Sequence, residues 1–183
     1  MKFEATEQAT SWLTGRVAEL QVQLEEAEAK VKDFSAATNL VSVEALQGLE
    51  RQLKDIRDRV VDGETSLVTA QAAFDSVQGA TDRVAQAEVT GDTQLTRFLP
   101  RVDSDANIAT AFDTRFEQIR ALAELEATRA RQQLTALQNS IAPLEEQIRT
   151  QGQDLITLQQ LQREAEANRL LYEYFLGRLK ETS

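Results

Sequence analysis

The 183-residue chain contains no cysteine and no histidine. Disulfides, thiolate or imidazole zinc sites and imidazole acid–base catalysis are therefore excluded. Two prolines and seven glycines leave few places to turn, so the elements must be few and long. Aromatic residues make up only 5%, too few for an ordinary compact core. No run approaches the roughly 18 to 20 apolar residues that cross a bilayer, and the N-terminus has no signal-peptide pattern. The net charge is −10. With the basic residues interleaved among the acidic ones, that balance disfavours nucleic acid or anionic lipid as a partner and suits solvated helix faces. The absence of cysteine does not fix a compartment, and no cofactor or metal motif is present.

What remains is alanine, leucine, glutamine, glutamate and arginine, the composition of long helices with narrow apolar seams. From about residue 5 to 35, Leu13, Val17, Leu20, Leu24, Ala27, Val31 and Phe34 recur at alternating spacings of four and three, a heptad seam. Residues 36–42 interrupt it at Asn39. Ser42 can cap the next helix, with Val41 and Leu46 stapled across the cap. A second seam, Leu46, Leu49, Leu53, Ile56, Val60, Gly63, Leu67, Ala70, Phe74, Val77, Thr81 and Val84, predicts one helix over about 43–88. The heptad keeps its phase through Asp62-Gly63, so this pair reads as a weak spot and not as a turn. Residues 89–104, with Gly91, Asp92, Pro100 and Asp103-Ser104, are the clearest interruption and have room for one short helical turn near Leu95–Phe98. A third helix is expected over about 105–180, kinked near 139–142 by Pro143, where Asn139 and Ser140 can supply hydrogen bonds.

The class is all-α. The third helix would be roughly 110 Å long, about as long as the first two laid end to end. Matched arms predict a single extended antiparallel coiled-coil hairpin spanning residues 1–183, with 89–104 as its tip connection. The runner-up is a compact three-helix bundle with an overhanging third helix.

Both ends of the chain resemble a known family. Arg163-Glu164-Ala165-Glu166-Ala167, Leu170-Leu171-Tyr172-Glu173-Tyr174-Phe175-Leu176 and Arg178-Leu179-Lys180-Glu181-Thr182 look like the end of the external coiled coil of Wzz-type polysaccharide co-polymerases. These are chain-length determinant and exopolysaccharide transport proteins, some fused to a cytoplasmic tyrosine kinase. Lys2-Phe3-Glu4-Ala5-Thr6, Trp12-Leu13 and Arg16-Val17-Ala18-Glu19-Leu20 are similar to the family's first helix, and the run from Glu25 to Leu40 follows the same wording. The resemblance implies the periplasmic segment of a bacterial inner-membrane protein that sets surface polysaccharide length and aids export. Protomers would form rings, with the polymerase as a partner and the polysaccharide as a possible one. It also implies that transmembrane spans, an α/β base and any kinase domain lie outside this chain, Met1 then being an added start. No catalysis is expected within the chain, and no membrane contact by this segment itself. The alternatives are the α-hairpin of a periplasmic adaptor in a secretion or efflux system, which lipoyl-like β halves would flank, and a generic coiled-coil scaffold.

Two groups of residues stand out against the bland helices. Trp12, Tyr172, Tyr174 and Phe175 are candidate packing or protomer-contact residues. Within one chain, Phe3 and Trp12 are expected opposite the C-terminal aromatics, closing the end of the hairpin; sugar stacking is the alternative for Trp12. Leu95, Phe98 and Leu99 are candidate tip-contact residues, or else close the tip over its own seam. Arg97, Arg101, Arg115, Arg129 and Arg131 could line a path for an acidic polysaccharide, ordinary interhelix ion pairs being the plainer account. Glu25-Glu26 and Glu145-Glu146 diverge around their helices and read as solvated faces, not as paired catalytic carboxylates.

Overall fold

The computed structural model describes residues 2–38 and 42–183. Five α-helices follow one another: α1 (Lys2–Ala37), α2 (Val43–Gly79), α3 (Arg83–Thr90), α4 (Thr93–Phe98) and α5 (Ala106–Thr182), with a 3-10 turn at Leu99–Arg101 between α4 and α5. No strand occurs among the described residues, and the all-α expectation holds. Asn39 and Val41, and with them the staple proposed across the α2 cap, lie outside the described residues. The cap itself is formed: the Ala45 N–H donates to Ser42 Oγ at 3.2 Å.

The chain divides into two compact units, Met1–Glu50 with Glu146–Ser183, and Arg51–Glu145. In the first, α1 lies antiparallel to the C-terminal part of α5. Glu28 meets Arg169 at 2.9 Å, and Trp12 meets Phe175 further along, so one number rises as the other falls. Val17, Leu20, Ala27 and Ala165 are buried between the two helices. The second unit is a helical hairpin. Arg57–Glu145, Arg131–Gln71 and Arg83–Asp113 contacts mark the antiparallel run of α2 and α3 against α5. Most α2 seam residues are only half-buried, as a two-stranded seam dictates, because each side chain has a neighbouring helix on one side only.

α2 passes through Gly63 without a break. A Cβ placed there would meet Leu134 Cδ1 at 3.4 Å, so the lapse in the seam is the space that Leu134 fills. The single helix expected to reach residue 88 is instead two. α2 stops at Gly79, and Asp82 starts α3 in an extended conformation, its Oδ1 accepting from the Ala85 N–H at 2.8 Å. Glycine weakens the helix end, and an aspartate cap satisfies an orphan donor that a continued helix would not leave. The interruption resets the phase: Val84, expected on the seam, is 62% exposed, and Ala87 takes the inner place at 5%.

Beyond α3 the chain turns through Gly91, whose φ of 58° is left-handed and whose N–H donates to the Ala87 carbonyl. That left-handed closure favours glycine, which adopts it without a Cβ penalty. Asp92 caps α4, and Asp105 accepts from the Asn107 N–H at 2.9 Å at the start of α5. Pro100 sits in the 3-10 turn, where its missing N–H removes no helical bond. α5 stays helical on both sides of Pro143, and the Ser140 hydroxyl donates to the Leu137 carbonyl at 2.6 Å.

Candidate interaction surfaces

The first candidate surface lies where the start of α1 meets the end of α5. Leu13 and Tyr172 are half-buried, on the sides of their helices that meet. Phe175 is the hub beside them. Trp12 packs on it with centroids 6.1 Å apart and ring planes at 69°, and Tyr174 packs edge-on at 5.3 Å and 85°. The Arg16 guanidinium sits over the Phe175 ring, 6.0 Å from its centre, and is oriented by Glu19 at 2.8 Å. Edge-to-face contacts and the cation satisfy the ring's negative face. Trp12 and Tyr174 are nevertheless each 62% exposed.

Phe3, expected with Trp12 opposite the C-terminal aromatics, is 90% exposed and takes no part in these ring contacts. Nine residues separate the two, which is roughly half a turn past two full turns of helix, so they leave α1 on opposite sides. Tyr172 and Tyr174 are likewise about 200° apart. The structure therefore brings together Trp12, Tyr174, Phe175 and Arg16, with Tyr172 on the inner side. Arg16 was missed because a single arginine in an amphipathic helix carries no signal of its own.

The second surface is the hairpin tip. Leu95 is fully buried with Val77, Ala87, Val102, Phe112 and Phe116, and half-buried Phe98 and Leu99 pack against this cluster. Phe112, also fully buried, is the aromatic centre around which the short elements gather. Two ion pairs fasten them. Arg115 on α5 donates from both Nη2 and Nε to the Asp92 carboxylate, at 2.9 and 3.3 Å. Asp92 Oδ2 also accepts from the Leu95 N–H at 3.1 Å. The Arg115 hydrogen bonds, reinforced by backbone donors, hold this carboxyl below the usual carboxylate range. Arg83 on α3 grips Asp113 on α5 in the same bidentate manner, at 3.1 and 3.0 Å.

Of the arginines considered for an acidic chain, Arg115 is thus engaged by Asp92 and Arg131 by Gln71. Glu145 and Glu146 go separate ways, to Arg57 across the hairpin and to Arg149 along α5. No group of acidic side chains suited to a metal ion occurs among the described residues, and no described helix is long and apolar enough to cross a membrane.

Among known proteins, the chain is similar to the succinoglycan biosynthesis transport protein ExoP of Rhizobium meliloti (strain 1021). The two are 26% identical over 215 aligned positions, which cover 99% of this chain and 27% of that protein. The chain thus spans little more than a quarter of its relative's length. No family model and no solved structure matches it. This similarity runs through nearly the whole chain and is in keeping with the resemblance to Wzz-type polysaccharide co-polymerases read from its two ends.

Proposed function

We propose that the chain is the non-catalytic, periplasmic coiled-coil module of a polysaccharide co-polymerase, which helps to set the length of a surface polysaccharide and to export it. The observation that carries this reading is the similarity to a succinoglycan transport protein along 99% of the chain. Paired antiparallel helices suit such a role. Such helices present exposed side chains along their length, and among the described residues no group of acidic side chains suited to a metal ion is gathered. The contribution is geometric, made through neighbouring protomers and the polymerase of the full-length protein. The test is to delete this segment from the full-length protein and resolve the polysaccharide on a gel. A shifted modal length at normal protein level is the expected result; unchanged banding would overturn the proposal.

A further inference from the structure

We infer that Trp12 and Tyr174, set on Phe175 and Arg16, form a contact platform for the neutral sugar rings of a polysaccharide chain. The inference rests on the polysaccharide reading above and adds a site to it.

Exposure is the first observation. The chain's one tryptophan and Tyr174 are each 62% exposed. Such rings do little for the seam they flank, which Val17, Leu20 and Ala165 already close. Pre-organisation is the second. Both rings are held by edge contacts to Phe175, which lies under Arg16, so little side-chain freedom remains to be lost on binding.

The third is the chemistry of the surface. Neither the indole N–H of Trp12 nor the Tyr174 hydroxyl is engaged by another described residue, and neither is among the buried unpaired atoms. An apolar ring face beside a free polar handle matches a pyranose. Its C–H groups carry partial positive charge toward the negative ring face, and its hydroxyls reach the handles.

Charge and area narrow the occupant further. Arg16 is paired with Glu19 and Arg178 with Glu181, at 2.8 and 2.9 Å, so each of these two cations beside the platform already has an acidic partner, which favours a neutral ligand over an anionic one. Leu170 and Leu171, 58% and 46% exposed, extend it along α5. Four partly covered side chains still fall well short of the roughly 800 Å² a side of a stable protein–protein interface. A sugar chain needs far less.

Trp12 is its own reporter. Titrating the 183-residue chain with cellotetraose, a neutral oligosaccharide, should give a saturable shift of tryptophan emission. Tyr174→Ala should abolish the shift with the helical circular dichroism intact, and Phe3→Ala should leave it unchanged. No shift in the wild-type chain, or a shift that survives Tyr174→Ala, overturns the platform. So does sedimentation showing that Trp12 and Tyr174 instead hold two copies of the chain together. If deleting the segment alters polysaccharide length while cellotetraose leaves Trp12 unmoved, the platform fails and the family reading stands.

Discussion

Arg115 and Asp92 are joined by two hydrogen bonds, and the same aspartate caps α4 by accepting from the Leu95 N–H. One carboxylate therefore ties the turn after α3, the start of α4 and the shaft of α5 into a single corner. The residue it orients, Leu95, is fully buried against Phe112 and Phe116. The tip is thus ordered by a polar clasp above an apolar plug.

Removing the clasp should cost stability in a pH-dependent way. Asp92→Ala loses the cap, worth about 1 kcal/mol, and leaves Arg115 without its partner. The folded-state carboxyl lies below its ordinary value because Arg115 donates to it. Its contribution is therefore complete above the unfolded pKa of about 3.9 and is lost as pH falls through the lower folded value. Urea denaturation at neutral pH should show the deficit of Asp92→Ala relative to wild type. As pH falls through the lowered folded value the gap should narrow toward the contribution of the cap alone, and a gap of constant size would show that the carboxylate charge contributes nothing.

The apolar plug should dominate over any polar contact at the tip. Phe112 is fully buried, and Phe112→Ala should cost about 3–5 kcal/mol, the transfer loss plus the cavity left behind. Val84 makes the informative contrast. A helix running unbroken past Gly79 would bury it, whereas here it is 62% exposed. Val84→Ala should change stability by no more than about 0.5 kcal/mol. A loss of a size proper to a core valine would place the helix phase, and the break after Gly79, in error.

The heptad periodicity carried most of the fold. It located α1 and most of α2, because leucine, valine and isoleucine at alternating spacings of four and three announce a seam. It did not show where the phase resets. Gly79-Ala80-Thr81-Asp82 is a modest signal inside a long apolar repeat, and the deciding event is one backbone N–H bonded to Asp82. Ala127, buried to 3% exposure, was also overlooked, since a small side chain stands out on neither face of an alanine-rich helix. The aromatic surface was legible as a cluster in the tail, but its make-up was not. Phe3 falls outside it because of helical phase, and Arg16 enters because a guanidinium four residues after Trp12 shares its side of α1.

Gly63 offers the cleanest separation of backbone propensity from packing. In a helix interior, glycine costs about 1 kcal/mol relative to alanine. The added Cβ of Gly63→Ala would sit 3.4 Å from Leu134 Cδ1, an ordinary contact with the end of a movable side chain. Propensity should therefore win, and the variant should be more stable by about 0.5–1 kcal/mol in urea denaturation. A side chain as large as leucine would instead have to occupy the space that Leu134 and Leu137 already fill, so Gly63→Leu should destabilise by about 1–3 kcal/mol. Stabilisation by both variants would mean that the two helices stand further apart here than the 3.4 Å approach indicates. Destabilisation by alanine would mean that Leu134 cannot yield even a few tenths of an ångström. Opposite signs for the two variants are what a glycine seated beneath a leucine requires.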